Sequence, residues 1–171
     1  MQLYYKLCNI KNLEKLINIS RTTYNDAFRE NNTEKNMKEY LESAFSKSKM
    51  IKELKEKNTE FYFAYLNNII VGYFKINSDQ AQTDINDKLS IELERFYILK
   101  EFQRKKLGDQ MIKKVISIAE KKEKEYIWLG VWEKNDKAIS FYREYGFVKF
   151  GEHPYILGQD VQTDYLMKLN V

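Results

Sequence analysis

The spacing of hydrophobic and polar residues predicts that strands and helices alternate along this chain. Short apolar runs rich in aromatic residues indicate strands, whereas apolar positions three and four residues apart indicate amphipathic helices. The predicted strands are residues 2–7, 60–66, 69–77, 90–99, 126–131, 147–151 and 164–169. The predicted helices are residues 12–29, a segment that Thr33 caps and that runs through Met37 to Phe45, the segment from Met111 to Ala119, and residues 134–145.

Turn residues mark several boundaries between these elements. Asn67 and Asn68 separate two predicted strands and tolerate the positive φ of a tight hairpin. Gly146 stands where a left-handed residue ends a helix, and Ser48 is the candidate start of a further turn that carries Ile51 and Leu54. The predicted order of elements indicates an α/β fold with a mixed sheet. This order is one strand, two helices, three strands, a helix, a strand, a helix and two strands.

Composition favours one globular domain over residues 1–171. The chain is 43% hydrophobic and 15% aromatic, which is enough for one well-packed core and too rich in core-forming residues for disorder. It has one proline and six glycines and no low-complexity tract, so neither a linker nor a repeat array is expected.

Few residues are available for metal or thiol chemistry. Cys8 is the only cysteine and His153 the only histidine, which excludes an intramolecular disulfide and argues against a zinc site. We interpret Cys8 as a small buried hydrophobic residue and His153, which precedes Pro154, as a strand-end or loop residue rather than a base. The N-terminal residues do not follow the order of a signal peptide, and the longest apolar stretch, 69–74, is too short for a bilayer. We therefore expect a soluble cytoplasmic protein with no membrane partner.

The net charge of +4 is unevenly distributed. Residues 100–124 are strongly basic and residues 78–94 acidic, so one region is suited to phosphates and the other to a cationic ligand. Most of these charges are expected to be solvated surface. A nucleic-acid partner is not favoured, because the lysines do not interleave with exposed aromatic residues.

The segment from Leu93 to Gly108 predicts a phosphate site. A β-prone run ends at a short basic loop, and a helical pattern begins there. Free backbone amides and the macrodipole at such a helix N-terminus favour negative charge. One glycine in such a loop is a weak signal by itself.

The segment from Trp132 to Phe147 predicts a second functional surface. Asn135 and Tyr142 are seven residues apart, or two helical turns, so they share one face with Ala138 between them. A tyrosine at such a position is by itself more often a core aromatic whose hydroxyl finds a partner.

Together the two segments resemble the GCN5-related N-acetyltransferase (GNAT) superfamily. Its usual pattern is Gln/Arg-x-x-Gly-x-Gly/Ala followed by a helix, and later Asn-x-x-Ala-x-x-Phe-Tyr-x-x-x-Gly-Phe. Gln103–Gly108 matches the first pattern apart from Lys106, and Asn135–Phe147 matches the second. The resemblance implies a single-domain acetyltransferase fold, a mixed central sheet flanked by helices, with acetyl-CoA as co-substrate and no metal.

The same resemblance implies roles for particular residues. The amides of Arg104 to Gly108 would hold the pyrophosphate, the backbone of Phe96 to Ile98 would pair with pantetheine, Asn135 would fix the cofactor arm, and Tyr142 would give a proton to the departing thiolate. The implied cofactor-binding residues are Phe96, Tyr97, Ile98, Gln103, Arg104, Lys105, Lys106, Leu107, Gly108, Asp109, Asn135, Ala138 and Tyr142.

Lys106 departs from the pattern, because the superfamily usually has glycine there. Its side chain either crowds the pyrophosphate or reaches the phosphates with its ammonium group. We expect the backbone at Lys106 to remain helical and cofactor binding to survive.

Glu94 is the candidate general base. Strand alternation places Glu94, Phe96 and Ile98 on one face, provided that no bulge intervenes, and a carboxylate can accept the proton that an ammonium substrate must lose. An ion pair between Glu94 and Arg95 or a lysine is an equal alternative. Glu92 is a weaker contender for the same role.

Within the superfamily, the chain most resembles bacterial PaiA-type spermidine/spermine acetyltransferases. The segments that carry this resemblance are Thr33–Phe45, Ile127–Asn135 and Gln162–Asp164. This implies a polyamine substrate, whose remote ammonium groups would be attracted by the acidic loop 78–88, with Asp79, Asp84 and Asp87, and by Asp160 or Asp164. We expect Trp128 and Trp132 to pack in the sheet, with Trp132 also a candidate wall of the acceptor pocket.

Two alternatives to a polyamine acetyltransferase stay open. The substrate is either a polyamine or another amine, such as an amino acid, an antibiotic or a protein N-terminus. A regulatory module that senses acyl-CoA without turnover is the alternative from another class. The superfamily also includes many dimers, which makes a homodimer a candidate assembly.

Overall fold

A computed structural model of the chain describes residues 1–157 and 160–171. Seven strands and five α-helices lie within these residues. The strands are β1 (Tyr4–Leu7), β2 (Thr59–Leu66), β3 (Ile69–Ser78), β4 (Ser90–Ile98), β5 (Tyr126–Trp132), β6 (Val148–Leu157) and β7 (Asp160–Asn170). The helices are α1 (Leu13–Phe28), α2 (Glu34–Ala44), α3 (Lys47–Lys55), α4 (Leu107–Lys121) and α5 (Asp136–Glu144).

All seven strands form one sheet in the order β1-β2-β3-β4-β5-β7-β6. Every neighbouring pair is antiparallel except β4 and β5, which are parallel and joined through α4. The prediction of an α/β fold with a mixed sheet is thus confirmed. The two asparagines between β2 and β3 have φ values of +48° and +67°, as the predicted tight hairpin requires.

A hydrophobic core lies on each face of the sheet. Helices α4 and α5 cover one face, where Met111, Val115 and Ile139 meet the strands. Helices α1, α2 and α3 cover the other, where Leu16, Phe45 and Met50 are fully buried. Within the described residues, no helix is long and apolar enough to cross a membrane.

The N-terminal half contains three helices rather than the predicted two. The Thr33 side chain caps α2 by accepting a hydrogen bond from the Asn36 amide, as expected. The third helix, α3, begins after Ser46, whose hydroxyl accepts from the Lys49 amide, so the choice of Ser48 as its start was wrong. Two serines in succession offer the same capping chemistry, and the backbone at Ser46 has the extended conformation that a cap requires.

Strands β6 and β7 form a longer hairpin than the predicted 147–151 and 164–169. His153 therefore lies inside β6, and its interpretation as a strand-end or loop residue was wrong. Pro154 does not end the strand, because β6 is the edge of the sheet and has a neighbour on one side only.

The pairing of β4 with β5 covers only three residues on each strand, from Ser90 and Tyr126 to Glu92 and Trp128. A bulge follows in β4, since Lys75 pairs with Arg95 while the next residue of β3 pairs with Leu93. Among the described residues, no other strand pairs with the edges of β4 and β5 that face each other beyond this point. The two strands separate and leave a cleft between them.

Gly72 on β3 is a position where this sheet tolerates no side chain. A Cβ there would lie 2.5 Å from the carbonyl oxygen of Tyr97 on β4. We expect Gly72→Ala to lower the free energy of unfolding by about 2 kcal/mol, because the backbone of β4 has to move. Urea denaturation measures the change.

Gly151→Ala is the matched control for this variant. A Cβ at Gly151 would meet only the side chain of Leu166, at 3.5 Å, which is ordinary contact. The control is expected to be neutral or to gain up to about 1 kcal/mol from the less flexible unfolded chain. Equal losses in both variants would contradict the crowding at Gly72.

Candidate active site

The cleft between β4 and β5 has a volume of about 670 Å³ and is open towards both faces of the sheet. Helix α5 lines it on one face, and α1, α2 and the β6–β7 hairpin line it on the other. Parts of the chain that are distant in sequence therefore meet along one opening.

The cleft brings together most of the residues predicted for the site. Those that line it are Glu94, Phe96, Tyr97, Ile98, Gln103, Asn135, Ala138 and Tyr142. Gln103 is held there by donating from Nε2 to the carbonyl of Ile98, at 3.1 Å. Arg104 to Asp109 follow Gln103 at the start of α4 and lie outside the lining.

The N-terminus of α4 has an anion-binding conformation. In α2, α3 and α5 a side chain accepts a hydrogen bond from a first-turn amide, whereas within the described residues α1 and α4 have no such side-chain cap. Arg104 and Lys106, just before the helix, have φ values of +59° and +58°. Backbone amides around left-handed residues at a helix start form a concave nest for anions.

The expectation of a helical backbone at Lys106 was wrong. The residue is left-handed, one position before the helix begins. This conformation is readily adopted by glycine and costs other residues about 1 kcal/mol or more, which is a local reason for glycine to be usual there. Gly108 has a different role, because a Cβ on it would lie 3.3 Å from the ring of Phe141 on α5.

Tyr142 and Asn135 reach the cleft from α5. The Tyr142 ring is buried against Phe96 and Phe147. Burial raises the pKa of this phenol, so it stays protonated at neutral pH and is available as a proton donor. The carboxamide oxygen of Asn135 accepts from the Ala138 amide at 3.2 Å and caps α5.

Glu94 does not share a face with Phe96 and Ile98, so that prediction was wrong. The bulge in β4 reverses the alternation at Glu94, whose side chain lies with Lys75 and Arg95 on the face covered by α1–α3. Its carboxylate is 2.5 Å from Lys75 Nζ and 3.4 Å from an Arg95 guanidinium nitrogen. Glu53 on α3 binds the same two cations, which links that helix to the sheet.

These contacts make Glu94 a weak proton acceptor. Burial opposes ionisation, but the charges of Arg95 and Lys75 outweigh it and lower the Glu94 pKa to about 2. Burial and the neighbouring Glu94 raise the pKa of Glu92. Both Glu92 oxygens are engaged, because they accept from Thr83 and Asn77. Neither glutamate therefore has an oxygen aimed freely at a substrate.

Of the five aspartates expected near a cationic substrate, Asp84 and Asp164 line the cleft. Burial raises the pKa of Asp164, although His153 partly offsets the effect. The other three do not line it. Asp79 pairs with Lys124, Asp87 accepts from the Leu89 amide and the Tyr126 hydroxyl, and Asp160 accepts from Gln162.

Gln82 is a site-building residue that sequence reasoning missed. Its Oε1 accepts from Trp128 Nε1 at 2.6 Å and from the Ser90 hydroxyl at 2.7 Å, and its Nε2 donates to the Asp87 carbonyl. The acidic loop is thereby tied to β5. Trp128 is buried in the sheet, as expected, and Trp132 lines the cleft.

An aromatic wall was also missed. Tyr24 of α1 stacks on Tyr40 of α2 with ring centroids 4.2 Å apart, and its hydroxyl lies 3.2 Å from that of Tyr155 on β6. All three line the cleft. Aromatic residues at helical spacing look like ordinary core residues, and nothing in the sequence pairs α1 with β6.

The ion pairs of Glu94 predict a pH-dependent loss of stability. Because the Glu94 pKa is depressed on folding, its contribution is complete above the ordinary value of 4.5 and is lost as the pH falls towards 2. We expect Glu94→Gln to cost about 2 kcal/mol at pH 6.5 and much less at pH 2.5, as measured by urea denaturation.

Glu152→Gln is the control for this comparison. Glu152 is exposed and pairs with Lys149, so its change is expected to stay within about 0.5 kcal/mol at both pH values. A Glu94→Gln penalty that did not change with pH would argue against ionised Glu94 as the source.

The comparison with known proteins agrees with this geometry. The model of the Acetyltransferase (GNAT) family matches residues 17–147. A protein of Lactobacillus delbrueckii subsp. lactis, described as an uncharacterized N-acetyltransferase in the pepI 3′ region, is 38% identical over 162 residues, which cover 92% of this chain and 91% of the relative. The spermidine N(1)-acetyltransferase of Thermoplasma acidophilum is 25% identical over 153 residues, with 86% and 89% covered.

The fold has counterparts among solved structures. The crystal structure of PaiA N-acetyltransferase from Thermoplasma acidophilum in complex with coenzyme A matches over 100% of both chains, with a TM-score of 0.81 and 21% identity. Since the family model spans most of the chain, including residues 93–108 and 132–147, the chain belongs to the GNAT family of acetyltransferases.

Proposed function

We propose that this chain is an acetyl-CoA-dependent N-acetyltransferase of small polyamines such as spermidine and spermine. The observation that carries the proposal is the continuity of the cleft. On one side of the cleft lie the free edge of β4 and, nearby, the anion-binding N-terminus of α4. On the other side lies a pocket of acidic and aromatic residues. The residues from 1 to 171 would act as one catalytic domain, since all seven strands share one sheet.

The residues fit acetyl-CoA at the side covered by α4 and α5. The uncapped amides at the start of α4, with Arg104, Lys105 and Lys106, suit a pyrophosphate. The open edge of β4 at Phe96 to Ile98 offers backbone groups to an amide-containing arm such as pantetheine, in the manner of an added strand. When bound, acetyl-CoA supplies the thioester whose acetyl group is transferred. The structure of the Thermoplasma neighbour in complex with coenzyme A supports this choice of co-substrate.

Two groups of the chain serve the transfer itself. A backbone N–H on the open edge of β4 polarises the carbonyl oxygen where negative charge develops. The Tyr142 hydroxyl, kept protonated by its burial, donates a proton to the departing sulfur.

The other side of the cleft suits a flexible cation with several charges. The Asp84 and Asp164 carboxylates attract ammonium groups, while the rings of Tyr24, Tyr40 and Tyr155 accommodate methylene segments and stack against cations. The Thermoplasma relative that acts on spermidine supports this choice of substrate.

The direct experiment is a screen of amines with acetyl-CoA in which the released thiol is measured. Spermidine and spermine are expected to be turned over faster than amino acids, an aminoglycoside or a peptide N-terminus. A preference for one of those other amines would overturn the polyamine assignment. Coenzyme A binding without thiol release would instead indicate a sensing module.

Replacement of Tyr142 tests the proton donor. We expect Tyr142→Phe to lower kcat about 100-fold while the affinity for coenzyme A stays within about twofold, because only the hydroxyl is removed. A thiol-release assay measures kcat, and calorimetric titration measures the affinity for coenzyme A. Tyr145→Phe, directly after the same helix and outside the cleft lining, is the control and should keep the parent kcat. An unchanged kcat in Tyr142→Phe would contradict the role.

Replacement of Asp164 tests recognition of the substrate charge. We expect Asp164→Asn to raise the KM for spermidine roughly tenfold, as the loss of one partly buried ion pair predicts, and to change the KM for acetyl-CoA little. Asp79→Asn is the control, because it removes a carboxylate of the acidic loop that pairs with Lys124 and does not line the cleft. Equal spermidine KM values in both variants would remove Asp164 from substrate binding.

A further inference from the structure

An acetyl transfer to an ammonium substrate needs a proton acceptor, and the two glutamates on β4 are poorly placed for it. Glu94 is held by Lys75 and Arg95, and both oxygens of Glu92 accept hydrogen bonds. We propose that His153, oriented by Asp84, is the catalytic base. The proposal rests on the proposed function, because it assigns a further residue to the same reaction.

Asp84 and His153 form a carboxylate–imidazole pair across the cleft wall. Asp84 Oδ2 lies 2.7 Å from His153 Nδ1, and the two residues come from the acidic loop and from β6. An ionised carboxylate only accepts hydrogen bonds, so the neutral imidazole carries its hydrogen on Nδ1. The lone pair of the ring is then on Nε2, which is the arrangement that a general base requires.

His153 lines the cleft, and its Nε2 lies beside Gly130 of β5. A Cβ built on Gly130 would lie 3.7 Å from Nε2 and 3.6 Å from Asp164 Oδ2. Gly130 comes two residues after Trp128, the last residue of β5 that pairs with β4. Nε2 is therefore beside the point at which the strands separate, and the absence of a side chain on Gly130 leaves space next to it.

Asp164 completes a place for the amine beside the imidazole. Its Oδ2 is 3.9 Å from His153 Nε2, which is beyond hydrogen-bond distance. An ammonium group between them donates one hydrogen to the Asp164 carboxylate and presents another to Nε2. Asp164 thus binds the charge, whereas His153 removes the proton.

The proton balance is complete without another reagent. The N–H bond of the ammonium breaks, an Nε2–H bond forms, and the nitrogen lone pair becomes available for attack on the thioester carbon. As the C–N bond forms and the C–S bond breaks, the nitrogen loses its second proton, which replaces the one that Tyr142 gives to sulfur. The imidazolium, stabilised by Asp84, returns its proton to water.

The groups that face His153 define the expected pH dependence. Asp84 faces it from the acidic loop, Asp164 from β7, while β5 contributes Gly130, which does not titrate. Glu92 and Tyr155 also line this side of the cleft. Protonation of the imidazole would remove the base, so kcat/KM should fall on acidification.

The experiment begins with an amine that the parent chain acetylates and compares His153→Ala, His153→Gln and the control Glu152→Gln. We expect both His153 variants to lose about 100-fold or more in kcat and to lose the acid limb of the kcat/KM profile. Added imidazole should restore activity to His153→Ala in proportion to its concentration, but not to His153→Gln. Glu152, an exposed neighbour on β6, should leave kcat unchanged when replaced.

A second measurement is independent of turnover. Since His153 is the only histidine, its two ring nitrogens are identified directly in a nitrogen-15 NMR spectrum of the unliganded chain. We expect the neutral ring to carry its hydrogen on Nδ1, to change tautomer in Asp84→Asn, and to shift when spermidine is added. The Asp84→Asn variant should lower kcat more than it raises the KM for spermidine.

Each outcome decides the proposal. A His153→Ala variant that keeps the parent pH profile and a kcat within about threefold of the parent would overturn it, as would a neutral ring with its hydrogen on Nε2. Retained acetylation with these results would leave the proposed function intact. A parent chain that acetylates no amine would overturn the proposed function and the base assignment together.

Discussion

The structure depends on the separation of two parallel strands. After Glu92 and Trp128, β4 and β5 no longer share hydrogen bonds, and the bulge at Glu94 begins this divergence. The bulge brings Glu94 and Arg95 to the same face, where Lys75 and Glu53 neutralise them. Buried charges are tolerated only when they are paired, so this ion-pair cluster holds the bulge in place and α3 against the sheet.

The separated strands give the site two chemically different sides. The open edge of β4 and the uncapped start of α4 offer backbone amides on the side covered by α4 and α5. Carboxylates and tyrosines from the loop, the hairpin and the N-terminal helices surround the opening on the other. The sheet thus separates a side rich in backbone amides from a side rich in carboxylates and tyrosines, and the cleft that both Tyr142 and His153 line connects the two.

Local chemistry made parts of this site predictable. Asn135, Ala138 and Tyr142 share one face because of helical spacing alone. The cap at Thr33 depends on a single hydrogen bond between residues three positions apart. The prediction for Glu94 failed because a bulge leaves no periodic signal, yet one extra residue reverses every side chain beyond it. The prediction for Lys106 failed because the residue lies one position before α4 in a left-handed conformation, which residues other than glycine adopt only at a cost.

The sequence by itself determined the mixed sheet, the order of most elements and the motifs on β4, α4 and α5, because these follow from periodicity and short-range capping. Only the tertiary structure decided which carboxylates meet the cleft and which residue is placed to accept a proton. Asp84 and His153 are separated by 69 positions along the chain, and Tyr24 and Tyr155 by 131. Their meeting depends on how a loop and a hairpin fold against the sheet, and no local pattern of residues encodes such a contact.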